Sequence, residues 1–463
     1  MRPPFGSSLR PRLCAAGECA ILIAALLVAT AVRLSNGRKG LLHQDLLITK
    51  ALLNALVVQL CFYYNDLYED VTLCRRTELH LRLGQSLLTG AAILMALYYA
   101  VPALEVGRGI LALYLPLAYA ALVAWRMAFA WAAGCEQLID RILIVGTGQS
   151  AQQIAIELGK RPPAGLALVG FVGEAAAEVG RRLINTPVVG TRDDVLALVQ
   201  AHRINLVVVA LDDWRGKTPI SALLHSRLAG VRVEEATTFY ERLAGKILVC
   251  NLRPSWLLFG WGFNRARLFR NTKRLLDVVA ASALFVLLAP VLALIATLIQ
   301  MTSRGPVLYR QERIGERGRV FAVLKFRSMR TGAEAVTGPV WATDGPDPRV
   351  TLVGRYLRKF RLDELPQLLN ILRGEMSFVG PRPERPHFTE VLRKVIPYYD
   401  ERHTVKPGVT GWAQIKFGYG ASIEDAVEKL QFDLYYLRHM SMTFDVGILL
   451  DTLKIVAMGR GAR

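Results

Sequence analysis

The sequence predicts a membrane protein of three parts: a bundle of four transmembrane helices, a central α/β domain, and a C-terminal, mostly helical α/β domain with a re-entrant membrane helix. Three observations predict this fold class. Hydrophobic residues make up 52% of the 463 residues, a share typical of a chain with membrane segments. Four long apolar runs lie within residues 1–135. Strand patterns then alternate with helix patterns over residues 140–250.

The charge balance is strongly basic, with a formal net charge of +19. Such a chain suits anionic lipid headgroups and anionic ligands. Nucleic acid is not expected as a partner, because no recognised nucleic-acid-binding motif is present. The six cysteines form no CxxC pair, which predicts small buried side chains in a reducing compartment. The seven histidines form no close metal-binding pattern.

The apolar runs of residues 1–135 are predicted to form the transmembrane bundle. They cover about Cys14–Val32, Leu46–Tyr63, Gln85–Val101 and Ile110–Ala132. A basic N-terminus before an apolar run is also typical of a signal peptide, but three further runs favour a bundle. Arginines before the first run and between the second and third favour a cytoplasmic N-terminus, so four spans return the chain to the cytoplasm. No ionisable pair marks a transport path, which favours an anchor over a channel.

Residues 140–250 are predicted to fold as a Rossmann-like α/β domain. A strand at Arg141–Val145 is followed by Gly146-Thr147-Gly148 and by a helix around Ala151–Leu158. Further strands are predicted at Leu166–Val172, Pro187–Val189, Leu206–Leu211 and Val231–Val233. This alternation predicts a parallel sheet with right-handed crossovers. The glycine turn could hold a nucleotide phosphate, but no convincing ribose-binding acid follows at the usual distance, which favours a structural or assembly role.

Residues 251–272 are predicted to be a linker at the membrane interface, because aromatic and basic side chains are interleaved there. Packing of these aromatic side chains against the next domain is the alternative. The C-terminal domain, residues 273–463, begins with the apolar segment Leu275–Ile299, which is long enough to span a membrane. Pro290 within it predicts a kink or break, because proline removes a backbone donor. Both flanks are basic, so we expect a re-entrant helix that enters and leaves on the cytoplasmic face.

The C-terminal domain is organised around Arg361–Pro383. Asp363 and Glu364 precede an amphipathic run that Gly374 ends, and a rigid basic loop, Gly380–Pro383, follows. An acidic pair facing a basic loop suits metal-assisted chemistry on phosphate, in which carboxylates hold Mg²⁺ or attack phosphorus and arginine neutralises phosphate oxygens. The alternative is that the acidic pair only stabilises the helix N-terminus through its dipole.

This segment resembles the signature of the bacterial sugar transferases, the polyprenyl-phosphate glycosyl-1-phosphate transferases. Further motifs follow the family's order: Gly305-Pro306-Val307, Gln311-Glu312-Arg313-Ile314-Gly315, Lys325-Phe326-Arg327-Ser328-Met329 and Lys406-Pro407-Gly408-Val409-Thr410-Gly411-Trp412-Ala413-Gln414. The front half resembles the long form of the family, with four membrane spans and a Rossmann-like central domain. The stretch Phe417–Gly420 and the tail after it resemble the exopolysaccharide branch associated with PEP-CTERM systems.

The resemblance implies transfer of a sugar-1-phosphate from a UDP-sugar to undecaprenyl phosphate, the initiating step of exopolysaccharide or related glycan assembly. It implies that Asp363 is the nucleophile, which forms a phospho-aspartyl sugar as UMP leaves. Glu364 is expected to bind Mg²⁺, with Asp363 as a second ligand. Alternation along a strand would put Lys325 and Arg327 on one face. We expect substrate phosphates to be bound by Arg382, Lys325, Arg327, Arg313 and Arg361.

The same resemblance places the catalytic domain on the cytoplasmic side of the bacterial inner membrane, in contact with membrane lipid, and the central domain favours a homodimer. Two other functions stay open. A membrane-anchored nucleotide-sugar dehydratase or epimerase needs a second dinucleotide fold and a Tyr-xxx-Lys pair, and the sequence has neither. A non-enzymatic scaffold of polysaccharide assembly would not need the intact acidic pair and basic loop. The tail, Ile423–Met458, has apolar helical stripes that suit either the membrane surface or core packing.

Overall fold

The computed structural model describes residues 9–35, 47–65, 67–68, 76–133, 140–160, 166–211, 219–249, 267–330, 349–418, 420 and 422–457. The chain divides into two compact units between Phe239 and Tyr240. Most of the predicted linker, residues 251–272, lies outside the described residues, which resume in a helix at Arg267.

The N-terminal unit begins with four long helices: α1 (Leu9–Ser35), α2 (Leu47–Tyr64), α3 (Arg76–Ala100) and α4 (Arg108–Ala133). Each overlaps one of the predicted apolar runs and is long and apolar enough to cross a membrane. Helix α1 contacts α2 and α4, and α3 contacts the same two helices. They share one hydrophobic core, whose fully buried members include Leu26, Phe62, Leu83 and Leu122. These apolar helices fit a multi-pass membrane protein.

A buried ion pair lies inside these helices, although the sequence pattern indicated none. Arg126 Nε of α4 donates to Glu18 Oε1 of α1 at 2.6 Å, and both side chains are buried. Arg126 Nη1 also donates to the Leu67 carbonyl at 3.1 Å. Because charged groups in apolar surroundings are costly unless they are paired, this contact ties α1 to α4.

The same unit contains the predicted α/β domain. Its six strands form one sheet in the order β3-β4-β2-β1-β5-β6. The strands are β1 (Asp140–Val145), β2 (Leu166–Gly173), β3 (Arg182–Leu183), β4 (Thr186–Thr191), β5 (Leu206–Val209) and β6 (Arg232–Glu235). The helices are α5 (Gln149–Lys160), α6 (Val195–Ala201) and α7 (Ile220–Leu228). Helix α8 (Ala236–Ala244) follows β6 and contains the boundary between the two units. The predicted parallel pairing is confirmed, except that β3 and β4 form an antiparallel hairpin that was not predicted.

The glycine turn after β1 has a structural cause. Gly146 adopts a φ of +122°, and a Cβ atom added there would lie 2.4 Å from the Ala210 carbonyl oxygen. Only glycine fits a left-handed backbone at such a close approach. The packing of β1 against the chain after β5 therefore explains Gly146 without a ligand.

The first described helix of the C-terminal unit that follows the linker is α9, Arg267–Thr302, which is 36 residues long. It continues through Pro290, so of the predicted kink or break, a break into two helices is not observed. Proline removes one backbone donor, and a helix can continue past it with a bend. Much of the apolar surface of α9 is exposed, as at Val286 (75%) and Leu287 (71%), where a membrane would cover it.

The rest of this unit is an α/β fold. Strands β7 (Leu308–Ile314) and β8 (Val320–Phe326) form an antiparallel hairpin, and β9 (Ser377–Val379) pairs in parallel with β10 (Gly408–Thr410). The helices are α10 (Leu352–Lys359), α11 (Gln367–Arg373), α12 (Pro386–Val395), α13 (Trp412–Lys416), α14 (Ile423–His439) and α15 (Met442–Ala457).

The tail forms the core of this unit. Every residue of α14 from Leu430 to Leu437 is buried, and Phe444 and Ile448 of α15 are buried with them. Core packing, one of the two interpretations left open for the tail, therefore holds for α14. Val446 and Leu453 of α15 remain exposed.

Candidate active site

The acidic pair lies on a short 3₁₀ turn, Leu362–Glu364, directly before α11. Arg361 precedes this turn with a φ of 54°, a left-handed conformation that is uncommon for residues other than glycine. Such backbone strain is concentrated at functional sites. The predicted helix after the acidic pair is confirmed as α11, and Gly374 ends it with a φ of 86°.

Glu364 is held between two cations. Its Oε1 accepts from Lys325 Nζ at 3.0 Å and from Arg382 Nη2 at 2.9 Å. Burial alone would raise the pKa of this carboxyl group, but the Lys325 ammonium and the Arg382 guanidinium hold that pKa well below its ordinary value. Glu364 is therefore ionised at neutral pH, and its charge joins the β7–β8 hairpin to the basic loop.

Asp363 has the opposite electrostatic balance. Asp363 is 8% exposed. Burial raises the pKa of this carboxyl group; the Lys325 ammonium opposes that shift and the Glu364 carboxylate adds to it. A carboxylate with so little hydration loses little solvent when it attacks an electrophile. The two neighbouring acids are thus prepared for different roles.

A buried asparagine holds β8, the strand that carries Lys325, next to α11, the helix that follows the acidic pair. Asn370 of α11 accepts from the Leu324 amide through Oδ1 at 3.0 Å. Its Nδ2 donates to the Ala322 carbonyl at 2.8 Å and to Glu375 Oε2 at 2.7 Å. Asn370 therefore pairs with the backbone of β8 on both sides of Val323, two residues before Lys325.

Replacement of Asn370 by Leu is expected to lower the free energy of unfolding by about 3 kcal/mol. It keeps the side-chain size but leaves the Leu324 amide and the Ala322 carbonyl unpaired in the interior. Thermal unfolding of the purified protein in detergent measures this. The control is Asn205→Leu, since Asn205 bonds to the Arg141 amide at an exposed site, and its effect is expected below about 1 kcal/mol. Equal losses for the two variants would contradict the role given to Asn370.

The basic loop is interlocked with the segment Lys406–Gly411. The Gly380 amide donates to the Thr410 carbonyl, and the Gly408 amide donates to the Pro381 carbonyl, each at 2.9 Å. A Cβ atom on Gly408 would lie 2.1 Å from the Gly380 nitrogen, so the two backbones are in direct contact. This segment therefore positions the basic loop. The adjoining Trp412 packs in the core and donates to the Gly245 carbonyl at 2.7 Å.

Two other predicted phosphate-binding residues lie farther from Glu364. Arg313 donates to the Pro383 carbonyl at 2.9 Å and pairs with Glu384 at 3.6 Å, so it supports the end of the basic loop. Burial lowers the pKa of the Arg313 guanidinium to about 10, and the Glu384 carboxylate opposes that shift, so the group stays cationic at neutral pH.

Arg327 lies just past β8, which ends at Phe326. Its Nη2 donates to the Ser303 carbonyl at 2.7 Å and to Ser303 Oγ at 2.8 Å. Lys325 and Arg327 therefore contact different partners, Glu364 and Ser303, although strand alternation predicted one face for both. Arg327 Nε and Nη1 are buried and have no hydrogen-bond partner within the described part of the chain.

Sequence reasoning missed several buried polar residues around the site, chiefly Asn370, Arg402 and Asp433. Asn370 offered a weak signal, since it is a polar residue between Leu369 and Ile371 in an apolar helical run. Arg402 offered none, because its contact with the basic loop joins residues that are 20 positions apart.

Comparison with known proteins bears on the same region. The family model of bacterial sugar transferases matches residues 268–459, and a CoA-binding domain model matches residues 64–226. The exopolysaccharide production protein PSS of Rhizobium leguminosarum bv. phaseoli is 39% identical over 186 residues, which cover 39% of this chain and 92% of that protein. The chain belongs to the bacterial sugar transferase family.

Longer relatives of the chain also match. UDP-N-acetylgalactosamine-undecaprenyl-phosphate N-acetylgalactosaminephosphotransferase of Aeromonas hydrophila is 38% identical over 265 residues, 57% of this chain and 61% of that protein. Undecaprenyl-phosphate glucose phosphotransferase of Komagataeibacter xylinus is 33% identical over 346 residues, 71% of this chain and 61% of that protein. The chain thus spans 61% of the length of each of these two relatives. The acidic pair, Lys325 and Arg382 all lie within the sugar transferase match.

Proposed function

We propose that this sugar transferase moves a sugar-1-phosphate from a UDP-sugar to undecaprenyl phosphate and releases UMP, as the initiating step of exopolysaccharide or related glycan assembly. The observation that carries the proposal is the Asp363–Glu364 pair set against Lys325 and Arg382, because phosphoryl transfer depends on positioning and charge neutralisation. The names of the Aeromonas and Komagataeibacter relatives agree on the undecaprenyl-phosphate acceptor and differ in the sugar, so no sugar is assigned.

Asp363 is the nucleophile in the proposed reaction. Its carboxylate oxygen forms a bond to the β-phosphorus of the UDP-sugar, and the bond from that phosphorus to the bridging oxygen breaks, so UMP leaves with the electron pair. A phosphate oxygen of undecaprenyl phosphate then attacks the phospho-aspartyl phosphorus and frees Asp363 as a carboxylate. Both attacking groups are oxyanions, so neither step requires a general base.

Glu364 is proposed to hold Mg²⁺, with Asp363 as a second ligand. Within the described residues no group of three or more histidine, cysteine or acidic side chains would enclose a metal. Two adjacent carboxylates nevertheless fit Mg²⁺, which is usually bound through one or two carboxylates, substrate phosphates and water. When bound, the ion supplies positive charge against the diphosphate. Lys325 and Arg382 supply the remaining charge from the protein.

Arg327, Arg313 and Arg361 complete the proposed phosphate-binding set. Arg327 has the strongest support, since it is 6% exposed and its Nε and Nη1 lack hydrogen-bond partners within the described residues. A buried guanidinium with unused donors favours an anionic ligand. Arg313 supports the end of the basic loop through its hydrogen bond to the Pro383 carbonyl. Arg361 makes the turn that precedes the acidic pair.

We propose that α1 to α4 form a four-helix bundle in the bacterial inner membrane, that the C-terminal unit is cytoplasmic, and that α9 is re-entrant. Both ends of α9 contact this one unit. Arg274 Nη2 donates to the Leu372 carbonyl at 2.8 Å, and Ile299 shares a core with Leu357. In a straight helix, the segment from Arg274 to Ile299 would cover about 38 Å, more than the roughly 30 Å hydrocarbon core. A bend at Pro290 lets both ends stay on one face.

Cysteine labelling tests this topology. In a protein whose native cysteines have been replaced, Thr272→Cys and Arg304→Cys are both expected to react only after the membrane is made permeable. Ala103→Cys, in the exposed turn between α3 and α4, is the control and should react in intact cells. Labelling at position 304 in intact cells would show that α9 crosses the membrane.

UMP release tests the proposed function. Membrane fractions containing the protein should release UMP from one of a panel of UDP-sugars, and added undecaprenyl phosphate should increase the amount. The lipid product should carry the sugar and two phosphates. A protein that folds and inserts but releases no UMP with any of the common UDP-sugars would instead support a scaffold.

A further inference from the structure

One face of α14 supports the basic loop. Asp433 and Tyr436 are three positions apart on this helix, so they lie on the same face. Both residues are buried, at 1% exposure each. Both residues are linked to the backbone at the basic loop. Asp433 is linked through a second arginine, and Tyr436 contacts the backbone directly.

Arg402 makes the first link. Its Nη2 donates to the Arg382 carbonyl at 3.0 Å and lies 2.8 Å from Asp433 Oδ2. Its Nη1 donates to Tyr399 Oη at 2.7 Å. Burial would lower the pKa of Arg402, but Tyr399 and Asp433 raise it, so the guanidinium is a fixed cation. Its planar fork therefore fixes one carbonyl, one phenol and one carboxylate relative to one another.

Tyr436 makes the second link at the other end of the loop. Its Oη lies 3.1 Å from the carbonyl oxygen of Val379, the residue before Gly380, and 2.9 Å from Asp445 Oδ1. Lys273 Nζ donates to the same hydroxyl at 3.2 Å. The hydroxyl is thus held in place from three directions.

We propose that Arg402, paired with Asp433, is a positioning residue for the transfer reaction, and that Tyr436 assists it. Arg402 fixes the backbone of Arg382, and Tyr436 fixes the backbone before the loop, so that the Arg382 guanidinium stays directed at Glu364 and at the substrate phosphates. This inference rests on the proposed function.

The size of the effect follows from the geometry of Arg382. Its guanidinium reaches Glu364 at 2.9 Å while its carbonyl is held by Arg402 at 3.0 Å, so movement of the backbone moves the guanidinium. A misplacement of about 1 Å at a reacting centre can cost roughly a hundredfold in rate. The loss in rate should depend entirely on Arg382. A general loss of stability would instead lower the rate whether or not Arg382 is present.

A double-mutant cycle measures this. Arg402→Lys keeps the charge but loses the fork, and we expect kcat/KM for UDP-sugar to fall roughly tenfold to a hundredfold. In an Arg382→Lys background the same change is expected to cost at most about threefold, because the two residues act as one unit. Tyr436→Phe, which removes one hydroxyl, should show the same dependence with a smaller loss. Thermal unfolding of each variant is measured alongside.

The control is Glu428→Gln on the same helix. It removes the ion pair of Glu428 with Lys246, which is 2.6 Å long and does not involve the basic loop. Its kcat/KM should stay within about twofold of the parent value. Equal losses from Arg402→Lys in the two backgrounds, or parent-like kcat/KM in a folded variant, would overturn the proposal. If Arg402→Lys does not fold, Tyr436→Phe decides by the same criteria. An unmutated protein without UMP release contradicts the proposed function instead.

Discussion

Replacement of Asp363 by Asn is expected to stop sugar-phosphate transfer, with a loss of roughly a thousandfold or more, the scale seen when a covalent nucleophile is removed. The amide has nearly the same shape as the carboxylate but cannot form a stable acyl phosphate. Release of UMP and formation of the lipid product should be lost together. The control is Asp400→Asn, since Asp400 is an exposed acid that pairs with Arg393 at the surface, and transfer should be unchanged.

The same substitution should leave the fold intact or stabilise it. Burial raises the pKa of Asp363, so the folded protein disfavours the ionised form relative to the unfolded chain. A neutral amide removes that cost at neutral pH, where the acid is ionised in the unfolded state. An inactive variant with parent-like or increased thermal stability is therefore expected. A destabilised variant that keeps transfer activity would contradict both statements.

Replacement of Glu364 by Gln is expected to have the second largest effect on transfer. Unlike Asp363→Asn, it is expected to lower the stability of the fold. Gln cannot carry the charge that neutralises Lys325 and Arg382, so two cations are left facing each other beside Asp363. We expect transfer to fall roughly a hundredfold to a thousandfold. Breaking this buried charge cluster is expected to lower the free energy of unfolding by about 3 kcal/mol at neutral pH. Activity and thermal unfolding of the same preparation measure the two effects.

The pH dependence of stability identifies the cause. Lys325 and Arg382 depress the pKa of Glu364 in the folded state, so its contribution is present above its ordinary pKa and is lost as the pH falls through the folded value. The stability difference between parent and Glu364→Gln should therefore be largest near neutral pH and shrink under strongly acidic conditions. A difference that does not change with pH would indicate lost packing.

Raising Mg²⁺ should restore part of the activity of the Glu364→Gln variant if Glu364 is a metal ligand.

The sequence predicted those features that depend on short-range patterns. Apolar run length located α1 to α4, and strand-helix alternation located the parallel sheet. The order of the acidic pair, Gly374 and the basic loop correctly predicted a helix that Gly374 ends and a basic loop that faces the acidic pair. The chemical motif could be read because its residues lie within one segment of the chain.

The features that were not predicted join residues distant in the chain. Glu18 and Arg126 are 108 positions apart, and each alone is typical of the end of an apolar segment. Asp433 lies in an amphipathic helix, where a carboxylate usually faces solvent, yet it is buried against Arg402. The continuity of α9 through Pro290 was not predicted because proline marks a site of bending without deciding whether the helix ends there. Tertiary contacts decide the first two.

A covalent intermediate on Asp363 is tested most directly by isotope exchange without the lipid acceptor. Purified protein in detergent is incubated with UDP-sugar, Mg²⁺ and labelled UMP, with no polyprenyl phosphate present. If Asp363 accepts the sugar phosphate, the first step is reversible on its own, and label should enter UDP-sugar with the unmutated protein but not with Asp363→Asn. An unmutated protein that transfers sugar phosphate to undecaprenyl phosphate yet shows no exchange would contradict the covalent step, because the lipid phosphate must then attack the UDP-sugar directly.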